Sequence, residues 1–238
     1  MKGMSDIAAN LESVRESIRA AALRSDRDAA AVELLAVSKT HPVESIQTAL
    51  NAGQFVFGEN RVQEILIKQP QLPEKVRWHL IGPLQSNKVR KVLPLVEMIH
   101  SVDHLEIARD INRIGGELGL HPRVLIEINL AAESSKHGFT PEKIREQLEQ
   151  LYALDRLYIQ GVMCIPPFDP MPENTRPYFV KLRELRDELE KLGGAPLPQL
   201  SMGMSHDFEV AVEEGATIVR VGSAIFGSRP SKEPTPPA

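Results

Sequence analysis

The 238-residue chain reads as an α/β protein: a single (β/α)8 barrel of the TIM type with an additional N-terminal helix. Three observations predict this class. Eight short β-rich runs, each closing on small or polar residues, alternate with helical patterns, and no break in composition separates them. The length suits one barrel. The Gly-x-Gly-x-x-Gly fingerprint of the alternative, a doubly wound open sheet, is absent. The domain is expected to occupy residues 1–238, with its core over about 30–229 and a flexible tail over 230–238, where Pro230, Pro234, Pro236 and Pro237 block helix and sheet.

The elements follow in order. Ile7, Leu11, Val14, Ile18 and Ala22 recur every three or four residues, as on one buried helix face, and this helix stands outside the alternation. The expected strands are Glu33–Val37, Gln54–Phe57, Trp78–Ile81, Met98–His100, Arg123–Asn129, Tyr158–Met163, Gln199–Ser201 and Ile218–Val221. Between them, one helical stripe carries Ile107, Ile111, Ile114 and Leu118, and another Tyr178, Leu182, Leu185, Leu189 and Leu192. Asp103 with Glu106 three residues on predicts a capping box, Thr140-Pro141 a capped helix start, and Gly193-Gly194 a helix end. Gly115-Gly116 costs its helix about 1 kcal/mol per glycine relative to alanine and has no explanation at this level.

Composition narrows the function. Hydrophobic residues make up 42% and charged residues 25%, which fits a folded globular chain. A net charge of −4 supplies no general field for nucleic acid, and Lys88, Arg90 and Lys91 alternate with apolar residues as on a solvated helix face. Cys164 is the only cysteine, so neither an intrachain disulfide nor a cysteine zinc cluster is available. His100 and His104 straddle an expected strand end and helix start, which argues against a shared metal. No apolar stretch approaches membrane-spanning length and residues 1–10 lack a signal core, so a cytoplasmic protein, monomeric or weakly dimeric, is expected.

The chemistry centres on Lys39, which follows Leu34-Leu35-Ala36-Val37-Ser38 and precedes Thr40-His41-Pro42. An amine at the mouth of a buried strand suffers desolvation, which favours its neutral, nucleophilic form over the ammonium of an ordinary lysine, pKa about 10.4. Far along the chain, Ser201-Met202-Gly203-Met204-Ser205 and Arg220-Val221-Gly222-Ser223 are small-residue turns suited to phosphate. In a closed barrel strands 8 and 1 are neighbours, so amine and turns should meet at the rim formed by the strands' C-terminal ends. The backbone N–H groups of Gly203, Gly222 and Ser223, the hydroxyls of Ser205 and Ser223, and the starts of segments 205–214 and 223–226 are the expected phosphate donors. Ordinary turn duty would explain the same residues. Together these features point to a phosphorylated aldehyde.

Leu35–Lys39, Phe57-Gly58-Glu59-Asn60-Arg61, Trp78-His79 through Lys88, Ser201–Asp207 and Gly222–Gly227 resemble, as an ordered set, the motifs of the pyridoxal-phosphate homeostasis protein family. That family is similar to the N-terminal barrel of bacterial alanine racemases, and the resemblance runs from about Leu34 to Arg229. It implies a barrel that holds pyridoxal 5′-phosphate as a Schiff base on Lys39. It also implies that Arg220 faces the pyridine nitrogen, where an always-charged guanidinium discourages ring protonation and mutes carbanion chemistry; a rim salt bridge is the other reading of Arg220. Asn60 and His79 are expected to line the ring pocket, Asn60 toward the phenolic oxygen, although a turn residue and a hydrogen-bonded core histidine fit equally well. Lys136 is a candidate transient docking amine, or a solvated loop lysine.

The racemase's second proton-transfer tyrosine comes from an additional domain, for which the chain shows no counterpart, and Tyr152, Tyr158 and Tyr178 are not placed to replace it. The resemblance therefore implies a non-catalytic role in vitamin B6 and amino/keto-acid balance, with apo pyridoxal-phosphate enzymes as possible recipients. The alternatives are a racemase-type enzyme of weak activity, a class I aldolase, whose Schiff base would be colourless, and an adaptor barrel for which Lys39 is dispensable.

Overall fold

The computed structural model describes residues 5–131 and 137–227. Eight parallel strands close into a barrel in sequence order: β1 (Glu33–Val37), β2 (Val56–Glu59), β3 (Arg77–Leu80), β4 (Met98–Val102), β5 (Arg123–Ile128), β6 (Tyr158–Cys164), β7 (Gln199–Met204) and β8 (Ile218–Val221). The ring closes through the β1–β8 pairing, where Leu35 lies opposite Arg220 and Ala36 opposite Val221. Helices α1 (Ser5–Arg24), α2 (Val43–Asn51), α3 (Val62–Lys68), α4 (Ser86–Val92), α5 (Leu105–Leu118), α6 (Pro141–Tyr152), α7 (Arg176–Gly193), α8 (Phe208–Glu213) and α9 (Ser223–Phe226) surround it.

The strands read as continuous apolar runs because both faces are buried, one inside the barrel and one under helices. Inside, Leu35, Val56, Met98, Leu125, Met163 and Ile218 form one packed apolar cluster. Helix α1 buries Ile7, Leu11, Val14, Ile18 and Ala22 against α2, α8 and α9, and Asn10 and Arg27 tie it down by donating to the carbonyls of Ile225 and Ala216, both at 2.9 Å.

Local signals resolve in detail. Thr140 accepts from the Lys143 N–H at 3.2 Å with Pro141 at the first helical position, and Gly194 ends α7 in the left-handed region, φ 64°. Gly115 is explained by close approach, since a Cβ there would lie 3.1 Å from Pro122. In α7 the buried stripe runs through Phe179, Leu182, Leu185 and Leu189, whereas Leu192 at the helix end is exposed. The capping box at Asp103 does not form: α5 is preceded by His104 without a side-chain cap, and the Asp103 carboxylate instead pairs with His104 at 2.6 Å and His137 at 3.0 Å. Strand β2 begins two residues later than expected: the Gln54 backbone N–H still bonds back to the Ala49 carbonyl at 3.0 Å, and its side-chain amide donates to the carbonyls of Leu34 and Val56. On α4, Arg90 and Lys91 face solvent while Val89 and Val92 are buried. No described helix is long and apolar enough to cross a membrane.

Candidate functional site

Side chains along a parallel strand alternate between helices and barrel interior, so position fixes who reaches the C-terminal rim. Two residues beyond Met98 and Ile218 of the apolar cluster, β4 and β8 turn His100 and Arg220 inward, and both are buried. A cavity of about 430 Å³ opens above them, within the size range of small-molecule sites. Lys39, Asn60, Ser205, Arg220, Gly222 and Ser223 all line it. The amine that follows β1 and the turns after β7 and β8 thus share one space.

The remaining expected residues lie elsewhere. His79 is buried behind the cavity, its Nδ1 3.0 Å from Nε2 of His100, and His100 Nδ1 lies 2.9 Å from the Ser201 hydroxyl. Arg220 completes this chain by donating to Ser201 Oγ at 2.7 Å and to the Cys164 carbonyl at 2.8 Å. Both acceptors are uncharged, which differs from a rim salt bridge. Because Arg220 can only donate, Ser201 Oγ accepts from it and donates its own O–H to His100 Nδ1. His79 Nε2 ends the chain buried with no hydrogen-bond partner. Met202 points outward into the layer between barrel and helices. Gly203 does not line the cavity; at φ 89° it lets β7 pass α8, where a Cβ would lie 2.5 Å from that of Ala211. Lys136 lies outside the described residues.

Burial dominates the electrostatics. Desolvation pushes His79 down to about 3 and His100 well below its ordinary value, so both rings are neutral near pH 7. Desolvation, reinforced by the Asp103 charge, raises the Glu127 carboxyl to about 7 against the pull of Arg220 and His137. Burial also lifts the Cys164 thiol to about 12, which leaves it unreactive. Among the described residues no cluster of His, Cys, Asp and Glu is arranged for a metal.

The turns present converging N–H donors. The N–H groups of Gly222 and Ala224 converge on one oxygen, Ser205 Oγ, at 3.1 and 3.3 Å. Helix α8 starts at Phe208 rather than Ser205, because residues 205–207 form a turn closed by Asp207, whose carboxylate accepts from the Met204 N–H at 2.7 Å. The sequence reading missed the cavity's apolar wall. Val37, Ile81, Ile165 and Phe168 line it, and the Phe168 ring lies 5.3 Å from that of His206 across the mouth. These residues follow no spacing rule; they face the cavity because of where their strands and loops end.

One backbone contact controls the wall beside Asn60. A Cβ on Gly82 would sit 2.4 Å from the Asn60 carbonyl oxygen, while Ser101 Oγ donates to the Gly82 carbonyl at 2.7 Å and holds the segment in place. Gly82→Ala is expected to lose about 1–3 kcal/mol by overpacking, measured as a lower urea midpoint with unchanged slope. An unchanged midpoint would show that the two segments separate freely.

The family model for the alanine racemase N-terminal domain matches residues 8–230. The pyridoxal phosphate homeostasis protein of Aquifex aeolicus is 47% identical over 220 residues, covering 92% of this chain and 96% of its own. Among solved structures, PipY of Synechococcus elongatus PCC7942 with PLP bound has a TM-score of 0.82 at 41% identity, covering 93% of this chain and all of that one. An alanine racemase of Clostridium difficile shares the fold alone, with a TM-score of 0.70 at 17% identity over 96% of this chain and 58% of its own. Likeness at that level across nearly the full length, on a barrel whose lysine and small-residue turns face one cavity, makes this chain a member of the pyridoxal phosphate homeostasis protein family.

Proposed function

We propose that this protein, a single-barrel domain, holds pyridoxal 5′-phosphate covalently on Lys39 and serves vitamin B6 homeostasis without catalysing a reaction of its own. The observation that carries this reading is the shared cavity. The Lys39 amine shares it with Ser205, Gly222 and Ser223; the Gly222 and Ala224 N–H groups converge on Ser205 Oγ, and a phosphate oxygen would accept from the same donors once that hydroxyl turns to donate to it. The residues therefore fit the cofactor. The Gly222 and Ala224 amides with the Ser205 and Ser223 hydroxyls would take the phosphate, and Asn60 and the apolar wall would flank the ring. Arg220 would meet the ring nitrogen as a donor. Lys39 Nζ would replace the aldehyde oxygen, which leaves as water, to give a Schiff base.

The muted chemistry also rests on these residues. Arg220 is held by Ser201 and the Cys164 carbonyl, and a donor at the ring nitrogen keeps that nitrogen unprotonated and the ring a poor electron sink. None of the tyrosines lines the cavity: Tyr152 belongs to α6, Tyr178 to α7, and Tyr158 begins β6 at the opposite end of the barrel.

The test is direct. Protein incubated with pyridoxal 5′-phosphate should turn yellow, and borohydride should fix the cofactor's mass on the peptide containing Lys39. Lys39→Ala should lose the colour and the adduct while keeping its circular dichroism. An adduct on another lysine, or an undiminished colour in the variant, would overturn the assignment. Racemisation of alanine by the purified protein would overturn the non-catalytic part alone.

A further inference from the structure

Beneath the lysine-bearing turn lies a partly buried triad of ionisable side chains, Glu59, Glu64 and Lys68, that does not line the cavity. Glu59 ends β2 with no exposed surface, and Lys68 ends α3 at 6% exposure. Lys68 and Glu64 are four apart on α3 and so share a face. The Lys68 ammonium has three N–H donors, and each has an acceptor: Glu59 Oε1 at 2.7 Å, Glu64 Oε2 at 2.8 Å and the Ser38 carbonyl at 3.0 Å. The Ser38 hydroxyl donates to the same Glu59 oxygen at 2.7 Å. On the far side of Lys39, the Thr40 N–H donates to Glu64 Oε2 at 2.8 Å.

The triad thus grips both neighbours of Lys39. Strand β1 ends at Val37, and beyond it the backbone leaves the ladder after one further bond, Ser38 N–H to the Gly58 carbonyl at 3.1 Å. Thr40 adopts φ 66°, a conformation that costs a β-branched residue on the order of 1–3 kcal/mol and persists only where its surroundings impose it. Here the Thr40 N–H donates to Glu64, and the His41 N–H closes the same turn on the Ser38 carbonyl. Charge burial is an expensive way to stabilise a fold, because apolar residues of similar volume commonly do as well. Directional bonds to the backbone on each side of one lysine are what apolar packing cannot supply.

We infer that Lys68, Glu59 and Glu64 are positioning residues that aim the Lys39 amine at the cofactor aldehyde. This rests on the covalent reading given above. Attack on a carbonyl is sensitive to displacement of the nucleophile by about 1 Å, whereas the phosphate donors proposed above lie on the β7 and β8 turns, outside this segment. Loss of the triad should therefore impair the covalent step and spare phosphate-directed binding.

The experiment compares the full-length protein with Lys68→Met, Lys68→Arg and Glu64→Ala. Each is titrated with pyridoxal 5′-phosphate, read as borohydride-fixed mass on Lys39, and with pyridoxine 5′-phosphate, which carries the same phosphate and ring but no aldehyde. Lys68→Met is expected to need about tenfold more aldehyde for half-maximal adduct, equivalent to about 1.4 kcal/mol. Its affinity for pyridoxine 5′-phosphate should stay within about twofold. Lys68→Arg should recover part of the loss, because it keeps the charge and the donors. Glu64 is half-buried, so Glu64→Ala keeps the test decisive if Lys68→Met does not fold, and it should shift adduct formation alone by about threefold. Equal adduct curves for wild type and Glu64→Ala would overturn the positioning role, as would parallel losses for both ligands. A wild-type protein that forms no adduct would instead bring down the covalent reading, and the positioning role with it.

Discussion

Arg220→Leu is expected to destabilise the protein by about 3 kcal/mol, because a buried acceptor left without its donor costs about 1–3 kcal/mol. Two acceptors lose theirs: Ser201 Oγ and the Cys164 carbonyl. Glu127, whose carboxyl feels the Arg220 charge, would lose its opposing cation as well. Relief from desolvating the guanidinium offsets part of the loss, since burial already works against its charge. Arg220→Lys should fall between, for a single ammonium cannot span both acceptors as the planar fork does. Urea unfolding at pH 7 measures the effect. A loss below about 1 kcal/mol would mean that the polar layer closes up around the gap and that Arg220 is kept for the cofactor alone.

The second large effect concerns acid. His79 has a folded pKa of about 3 against an ordinary 6.5, with burial as the main cause and the charges of Arg77 and Arg123 adding to it. Between those values the unfolded chain binds a proton that the folded protein refuses. The stability this supplies is complete above pH 6.5 and is lost as pH falls toward 3, at about 1.4 kcal/mol per pH unit. His79→Gln should abolish that contribution. From pH 6 to pH 4 the wild type should therefore lose about 2.5 kcal/mol more than the variant. Glu127 acts in the opposite sense, since a carboxyl raised to about 7 contributes stability below its unfolded value that is lost as pH rises through 7. It is common to both proteins and cancels in the difference. Unfolding curves at the two pH values decide the matter, and superimposable pH profiles would show that His79 takes up a proton without opening the barrel.

The strands could be read because burial on both faces leaves uninterrupted apolar runs, as in Leu34–Val37 and Ile218–Val221. The Thr140-Pro141 start and the Gly194 stop could be read because caps act within one turn. Lys39 was legible for a similar reason, as a charged residue at the end of an apolar strand. Strand ends were harder: the Gln54 side-chain amide serves the distant Leu34 carbonyl as well as that of Val56, and the first of these no local pattern announces. Asp103 misled, because two histidine rings compete for a carboxylate that spacing alone assigns to a helix cap.

By itself, then, the order of residues determined the alternation of strand and helix, the lysine that follows β1 and the small-residue turns after β7 and β8. These depend on periodicity and on short-range chemistry, both of which a linear chain displays. Only the closed barrel decided that Asn60, Ser205, Arg220, Gly222 and Ser223 share the lysine's cavity, that Met202 and Gly203 do not line it, and that His79 terminates a buried polar chain. It also decided that Lys68, in sequence an unremarkable helix-end cation, donates to Ser38, Glu59 and Glu64. The physical reason is that inward or outward direction depends on strand register and tilt around the whole ring, a property of the closed ring that no single segment carries.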